Sequence, residues 1–130
     1  MDHILSKGYK VNSAATVTRG VACVISADDT VNTAGAAADV FGVYQETIDS
    51  TKVATGKATV GVAIIGVTRV VLGTGGATRR ARLKTDANGK AVVSAQTAAG
   101  SQPTPVFAIA MTAGNAGDEI DALLTPGAVY

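Results

Sequence analysis

The sequence is poor in the residues on which most catalytic and metal sites depend. Its 130 residues include one Cys, one His and no Trp. A single thiol excludes an intrachain disulfide and a Cys-rich zinc site. Charged residues make up only 16% of the chain and the net charge is +1, which argues against a nucleic-acid binder. No apolar run approaches the roughly 18 residues of a membrane span, so we expect a soluble, single-domain protein without nucleic-acid or membrane partners.

Small and β-branched residues dominate the composition. Ala, Val and Thr number 24, 17 and 16, and 15 Gly are spread along the chain. Val and Thr favour strands, because their restricted χ1 angle fits a pleated sheet. A small domain with so little charge has few groups to keep its surface solvated. We therefore expect part of that surface to be covered by other subunits or by a partner.

Short β-branched segments separated by turn signals recur along the chain, whereas strong helical periodicity is absent. The pair Asp28 and Asp29 predicts a turn, Asn88-Gly89 predicts a tight hairpin, and residues 51–56 predict a polar loop. Nine strands are predicted: 15–19, 21–26, 40–48, 58–65, 67–72, 78–85, 90–95, 106–112 and 119–124. About nine or ten short strands in one unit indicate an all-β fold, a single small β-barrel or sandwich. Residues 1–13 precede the first of these strands, and the β domain is expected to span residues 14–130.

The residues form no recognisable catalytic, cofactor or metal set. His3 lies two residues from the start of the sequence, where a general base would not be held in position. Cys23 lies in an apolar strand and is expected to be an inert core thiol. The acidic residues near 28 and 118 lack the spacing of a calcium loop, and the glycines at 73–76 lack the lysine of a phosphate loop. We therefore expect no enzyme activity, no cofactor and no metal.

One basic stretch could carry a function. Alternation along a strand over residues 78–85 places Arg80, Arg82 and Lys84 on one face, with Lys90 opposite them across the hairpin. Such a row could simply keep an edge strand from aggregating. It could also dock on an acidic protein surface. A nucleic-acid role is disfavoured because no aromatic residue that could stack on bases lies nearby.

Several segments together resemble the capsid decoration proteins of tailed bacteriophages, also called cement or head-stabilising proteins. The resemblance runs from about residue 14 to residue 127. It is carried by Arg19-Gly20-Val21, the Val-Phe-Gly-Val sequence at 40–43, the Asn-Gly hairpin and, most sharply, the segment 117–127.

The resemblance implies a structural virion protein on the outer surface of the expanded capsid. Such proteins bridge neighbouring major capsid protein subunits, commonly as homotrimers, and help the head resist internal DNA pressure. In such proteins an N-terminal arm often orders on the capsid, sometimes by adding a strand to it, and the resemblance implies that residues 1–13 form an extended arm of this kind. The predicted capsid contacts are Met1, Asp2, His3, Ile4, Leu5, Ser6, Arg80, Arg82 and Lys84. The alternative is a carbohydrate- or receptor-binding β-sandwich module of a phage fibre or adhesin, which would need an exposed aromatic platform.

Overall fold

A computed structural model describes residues 5–130 of the chain. It contains ten strands and one short helix, which confirms the predicted all-β class. The strands are β1 (Leu5–Val11), β2 (Ala22–Ala27), β3 (Thr30–Thr33), β4 (Gly42–Tyr44), β5 (Thr59–Ile65), β6 (Val67–Val71), β7 (Arg82–Thr85), β8 (Ala91–Val93), β9 (Ala108–Ala110) and β10 (Glu119–Leu124). The helix α1 (Ser50–Ala54) lies between β4 and β5.

The first five strands close into a barrel in the order β1-β3-β2-β4-β5. The barrel closes because β1 pairs antiparallel with β5 on one side and parallel with β3 on the other. The last five strands form a second sheet in the order β6-β10-β9-β7-β8. Gly66, at a φ of 109°, turns the chain from β5 of the barrel into β6 of this sheet.

Two apolar clusters hold the molecule together. One lies around the barrel strands and contains Val31, Tyr44 and Val62. The other joins the barrel to the second sheet, because Val43 and Ala63 pack in the same cluster as residues of β6, β7, β9 and β10. The members of the second cluster are mostly Ala, Val and Leu, so the two sheets can approach closely.

The predicted arm is partly a strand of the barrel. Leu5–Val11 form β1, with six residue pairs to β5, so these residues belong to the β domain rather than to a separate arm. This strand could not be predicted from the sequence, because most of its side chains, including Lys7 and Lys10, are exposed and give no apolar alternation. Pairing of its backbone groups holds it in place. Residues 1–4 of the predicted arm lie outside the described residues.

Other local predictions also differ from the structure: β3 was not predicted, and the strand predicted over residues 40–48 is reduced to β4. The polar loop over residues 51–56 is helix α1, which begins where the Asp49 carboxylate accepts a hydrogen bond from the backbone N–H of Thr51 at 2.8 Å. Residues 15–19 form no strand, although Ala15 and Val17 are buried, and Arg19 lies in a turn. In the β7–β8 hairpin only Gly89, at φ 77°, takes a positive angle, so the turn runs from Asp86 to Gly89 and is wider than a two-residue loop.

Candidate protein-docking surface

The basic stretch divides between a turn and a strand. Strand β7 begins at Arg82, whereas Arg80 lies before it with a left-handed φ of 73°. The prediction that Arg80 shares the strand face of Arg82 and Lys84 is therefore wrong. The chain turns here because the Ala81 N–H bonds to the Thr78 carbonyl, while the Arg80 N–H bonds to the Ala110 carbonyl at 2.7 Å.

Arg82 and Lys84 do share one face of β7. Leu83 and Thr85, which alternate with them, are buried against the barrel, so the two cations lie on the outer face of the second sheet. The Arg82 guanidinium carbon lies 4.8 Å from the centre of the Tyr130 ring, a cation–π arrangement that orients the side chain. Lys84 is paired with Val92 across the hairpin rather than with Lys90, which belongs to the turn.

The cations of this region have no acidic partner in the described chain. Over residues 5–130 the ion pairs are Arg19 with Glu119 at 2.8 Å and Arg69 with Asp121 at 3.8 Å. We call Arg79, Arg80, Arg82 and Lys84 the cation cluster. Because no carboxylate within the described residues neutralises it, the cluster gives its end of the molecule a local positive field.

Large apolar side chains lie beside the cation cluster. In the strand register Val67 of β6 is opposite Leu123 of β10, and Leu123 is opposite Ile109 of β9. Ile109 in turn is opposite Arg82. Met111 follows two residues after Ile109 and is 46% exposed. We call Val67, Leu123, Ile109 and Met111 the apolar patch.

The alternation within β10 could have revealed part of this patch. Ile120, Ala122 and Leu124 are buried, so Leu123 lies on the outer face with Glu119 and Asp121. In the structure β10 is an inner strand of the sheet, between β6 and β9. Its apolar outer residue therefore has neighbours on both sides.

The predicted contact residues of the arm and the predicted basic contact residues belong to different sheets. Leu5 and Ser6 lie on β1 of the barrel, whereas Arg82 and Lys84 lie in the second sheet. Leu5 is 55% exposed and pairs with Ile65, itself 52% exposed. Met1, Asp2, His3 and Ile4 lie outside the described residues.

The remaining candidates for chemistry are isolated from one another. Burial raises the pKa of the Cys23 thiol to about 12, with partial relief from a hydrogen bond with the Gly42 backbone, so the thiol stays protonated at neutral pH. Burial likewise raises the pKa of Tyr44 to about 12, although a hydrogen bond with Thr33 opposes the shift. Among residues 5–130 no three His, Cys, Asp or Glu side chains come close enough together to hold a metal ion.

The grooves of the molecule are open and mixed in character. One of about 430 Å³ runs beside α1 and is lined by Glu46, Asp49, Lys52 and Lys57 among others. A second of about 520 Å³ separates the barrel from the β7–β8 turn and is lined largely by Thr, Asn and Ala side chains. Within the described part of the chain, no helix has the length and apolar character needed to cross a membrane.

The architecture defines a class of fold: a closed five-stranded barrel whose last strand continues into a second five-stranded sheet packed on it. No family model matches the sequence, and no curated protein matches it. Among solved structures, the chain is similar to the crystal structure of the head fiber gp8.5 N base in bacteriophage phi29. The TM-score is 0.65 at 16% sequence identity, and the match covers 95% of this chain and 96% of that one. At this identity the likeness shows a shared fold over nearly the whole of both chains.

Proposed function

We propose that this chain is a structural protein of a phage head. It would bind the outer surface of the expanded capsid, bridge neighbouring major capsid protein subunits and stabilise the head against internal DNA pressure. The observation that carries the proposal is the fold shared with a head fiber base along nearly the full length of both chains. The resemblance to decoration proteins in the sequence supports the same role independently of that fold comparison.

The mechanism would be additive surface contact. A homotrimer on the capsid would engage several capsid subunits at once, so that each further contact forms at a high effective concentration. The cation cluster supports this role, since unpaired cations beside exposed apolar side chains suit a protein partner. Major capsid protein is the proposed partner, and the outer capsid surface is the proposed location.

The alternative, a carbohydrate-binding fibre module, depends on exposed aromatic rings. Tyr44 and Phe107 are buried, and Tyr9 and Phe41 pack edge to face with ring centres 5.2 Å apart. Tyr130 lies against Arg82. The described residues therefore offer little ring surface for a sugar to stack on. A glycan array on which the purified chain binds a defined sugar would favour this alternative.

The proposal is tested by sedimentation with expanded, DNA-free heads of the phage that carries this gene. The chain should pellet with the heads at a fixed number of copies per capsid subunit. In a separate measurement, DNA-filled heads carrying the chain should lose their DNA at a higher temperature than DNA-filled heads without it. A chain that stays in the supernatant at all concentrations would overturn the proposed function.

The contribution of the arm is tested by a deletion shorter than the predicted arm. Removing residues 1–10 would also remove most of β1 and open the barrel. Removing Met1–Ile4 leaves every β1–β5 residue pair in place. If the predicted arm contacts are made, this deletion should weaken binding to heads without lowering the melting temperature. Unchanged binding would exclude residues 1–4 from the contact.

A further inference from the structure

We infer that the outer face of the second sheet is the docking surface, and that it fits an apolar protein surface rimmed by carboxylates on the phage head. The face combines the apolar patch with Arg82 and Lys84 of the cation cluster at its β7 side. This inference rests on the proposed function and names the surface by which the protein would carry it out. It replaces a contact made mainly by the N-terminal arm.

The apolar patch is continuous across the sheet. The register places Val67, Leu123 and Ile109 side by side on three neighbouring strands, and directly opposed side chains in a sheet lie within contact distance. Leu123 is 40% exposed. In a chain built largely from Ala, Val and Thr, large side chains grouped on one solvent-facing surface are costly unless a partner covers them.

The sheet's other face is already occupied. Val70, Leu83, Ile120 and Leu124 point inward and pack in one cluster with barrel residues such as Val43. Within residues 5–130 no further sheet packs on the outer face, and the Tyr130 ring lies against Arg82 at its β7 side. The outer face is therefore the side of this sheet left for a partner.

The charges on this face indicate which charge the contacting surface of a partner should carry. Both outward carboxylates of β10 are already paired, Glu119 with Arg19 and Asp121 with Arg69. The cation cluster at the other side of the patch has no such pairing within the described residues. A partner that supplies carboxylates opposite the cluster would neutralise it, whereas a basic partner would be repelled. An apolar surface with an acidic rim matches both parts of the face.

Two variants test the two parts separately. The apolar variant carries Ile109→Thr and Leu123→Thr, since Thr has the β-branched shape that strands favour and removes apolar contact. Its control is Ile65→Thr with Ile25→Thr, which changes two barrel residues that are 52% and 46% exposed. The charge variant carries Arg82→Gln and Lys84→Gln, the two cations that lie on the outer face of β7.

The control for the charge variant is Lys52→Gln with Lys57→Gln, on the exposed groove beside α1. Binding to expanded heads is measured by sedimentation from 50 to 500 mM salt. We expect the apolar variant to bind at least tenfold more weakly at every salt concentration. We expect the charge variant to bind at least fivefold more weakly at 50 mM salt and like the unmodified chain at 500 mM, because salt screens exposed charges. Both controls should bind like the unmodified chain.

The outcomes separate the inference from the proposed function. If the unmodified chain binds heads and both variants bind equally well, the docking face is wrong and the function stands. If the unmodified chain does not bind heads, the function fails. If the apolar variant binds heads normally but has a smaller mass in light scattering, the face joins copies of this chain and the inference is overturned. Circular dichroism at 25 °C confirms that each variant is folded before it is scored.

Discussion

Gly89, in the β7–β8 turn of the second sheet, contacts the barrel. Replacing it with Ala should show how much the close packing at this contact matters for stability. The backbone there has a φ of 77°, and the Gly89 carbonyl accepts a hydrogen bond from the Ala22 N–H at 2.9 Å. A Cβ atom at this position would lie 2.8 Å from the Val21 Cγ1 and 2.9 Å from the Ala22 carbonyl oxygen. The second of these atoms belongs to the β2 backbone and cannot rotate away.

Gly89→Ala should lower the free energy of unfolding for two reasons. A left-handed Ala costs about 1–2 kcal/mol relative to Gly. Overpacking against a fixed backbone adds about 1–3 kcal/mol. Gly75→Ala is a matched control, because Gly75 has a φ of 89° but nothing within 4 Å of an added Cβ. It should show the first part of the loss alone.

Thermal and urea unfolding followed by far-ultraviolet circular dichroism measures both variants. Gly89→Ala should unfold at least about 3 °C below Gly75→Ala, since 1 kcal/mol shifts the midpoint of a domain of this size by about 3–5 °C. Equal midpoints for the two variants would refute the reasoning. They would mean that the close contact between Gly89 and the barrel adds no steric cost when a Cβ atom is introduced.

Three further predictions concern the core, alkaline pH and the surface. Leu83→Ala should lower the free energy of unfolding by about 2–5 kcal/mol in urea titrations, because Leu83 is fully buried between the sheets. The free energy of unfolding should fall as pH rises above about 9. In the unfolded chain Cys23 and then Tyr44 lose their protons near pH 9 and 10, whereas in the folded chain burial raises both pKa values to about 12. Each group should lower the free energy of unfolding by about 1.4 kcal/mol per pH unit over this range. Cys23→Ala should delay this loss to above pH 10 in pH-dependent urea unfolding, and an unchanged onset would contradict the assignment. Arg19→Met should cost less than about 1 kcal/mol, because the Arg19–Glu119 pair is exposed at the surface, and a larger loss that high salt does not reduce would contradict this.

Most strands with a buried face could be predicted from the sequence, but β3 was missed although its Val31 is buried. Thr59–Ile65 and Glu119–Leu124 lie close to their predicted bounds because their β-branched and alternating residues match their burial. Leu5–Val11 escaped notice because its side chains are mostly exposed and its place depends on pairing with strands about 20 and 50 residues further along the chain. Closure of a barrel is such a long-range property.

Only part of the proposed docking surface could be predicted from the sequence. Arg82 and Lys84 were predicted on one strand face and lie on one, whereas Arg80 was misplaced because its left-handed φ interrupts the alternation. The apolar patch could not be assembled from the sequence. It brings Val67, Ile109 and Leu123 together from three strands whose order in the sheet is not their order in the chain.

The most direct measurement of the central claim is a cryo-electron microscopy map of expanded heads carrying this chain. The account predicts density for the β domain on the outer shell, with Leu123 and Ile109 against a capsid subunit and carboxylates within about 4 Å of the Arg82 and Lys84 side chains. A map in which the second sheet faces solvent while the barrel contacts the shell would contradict the account.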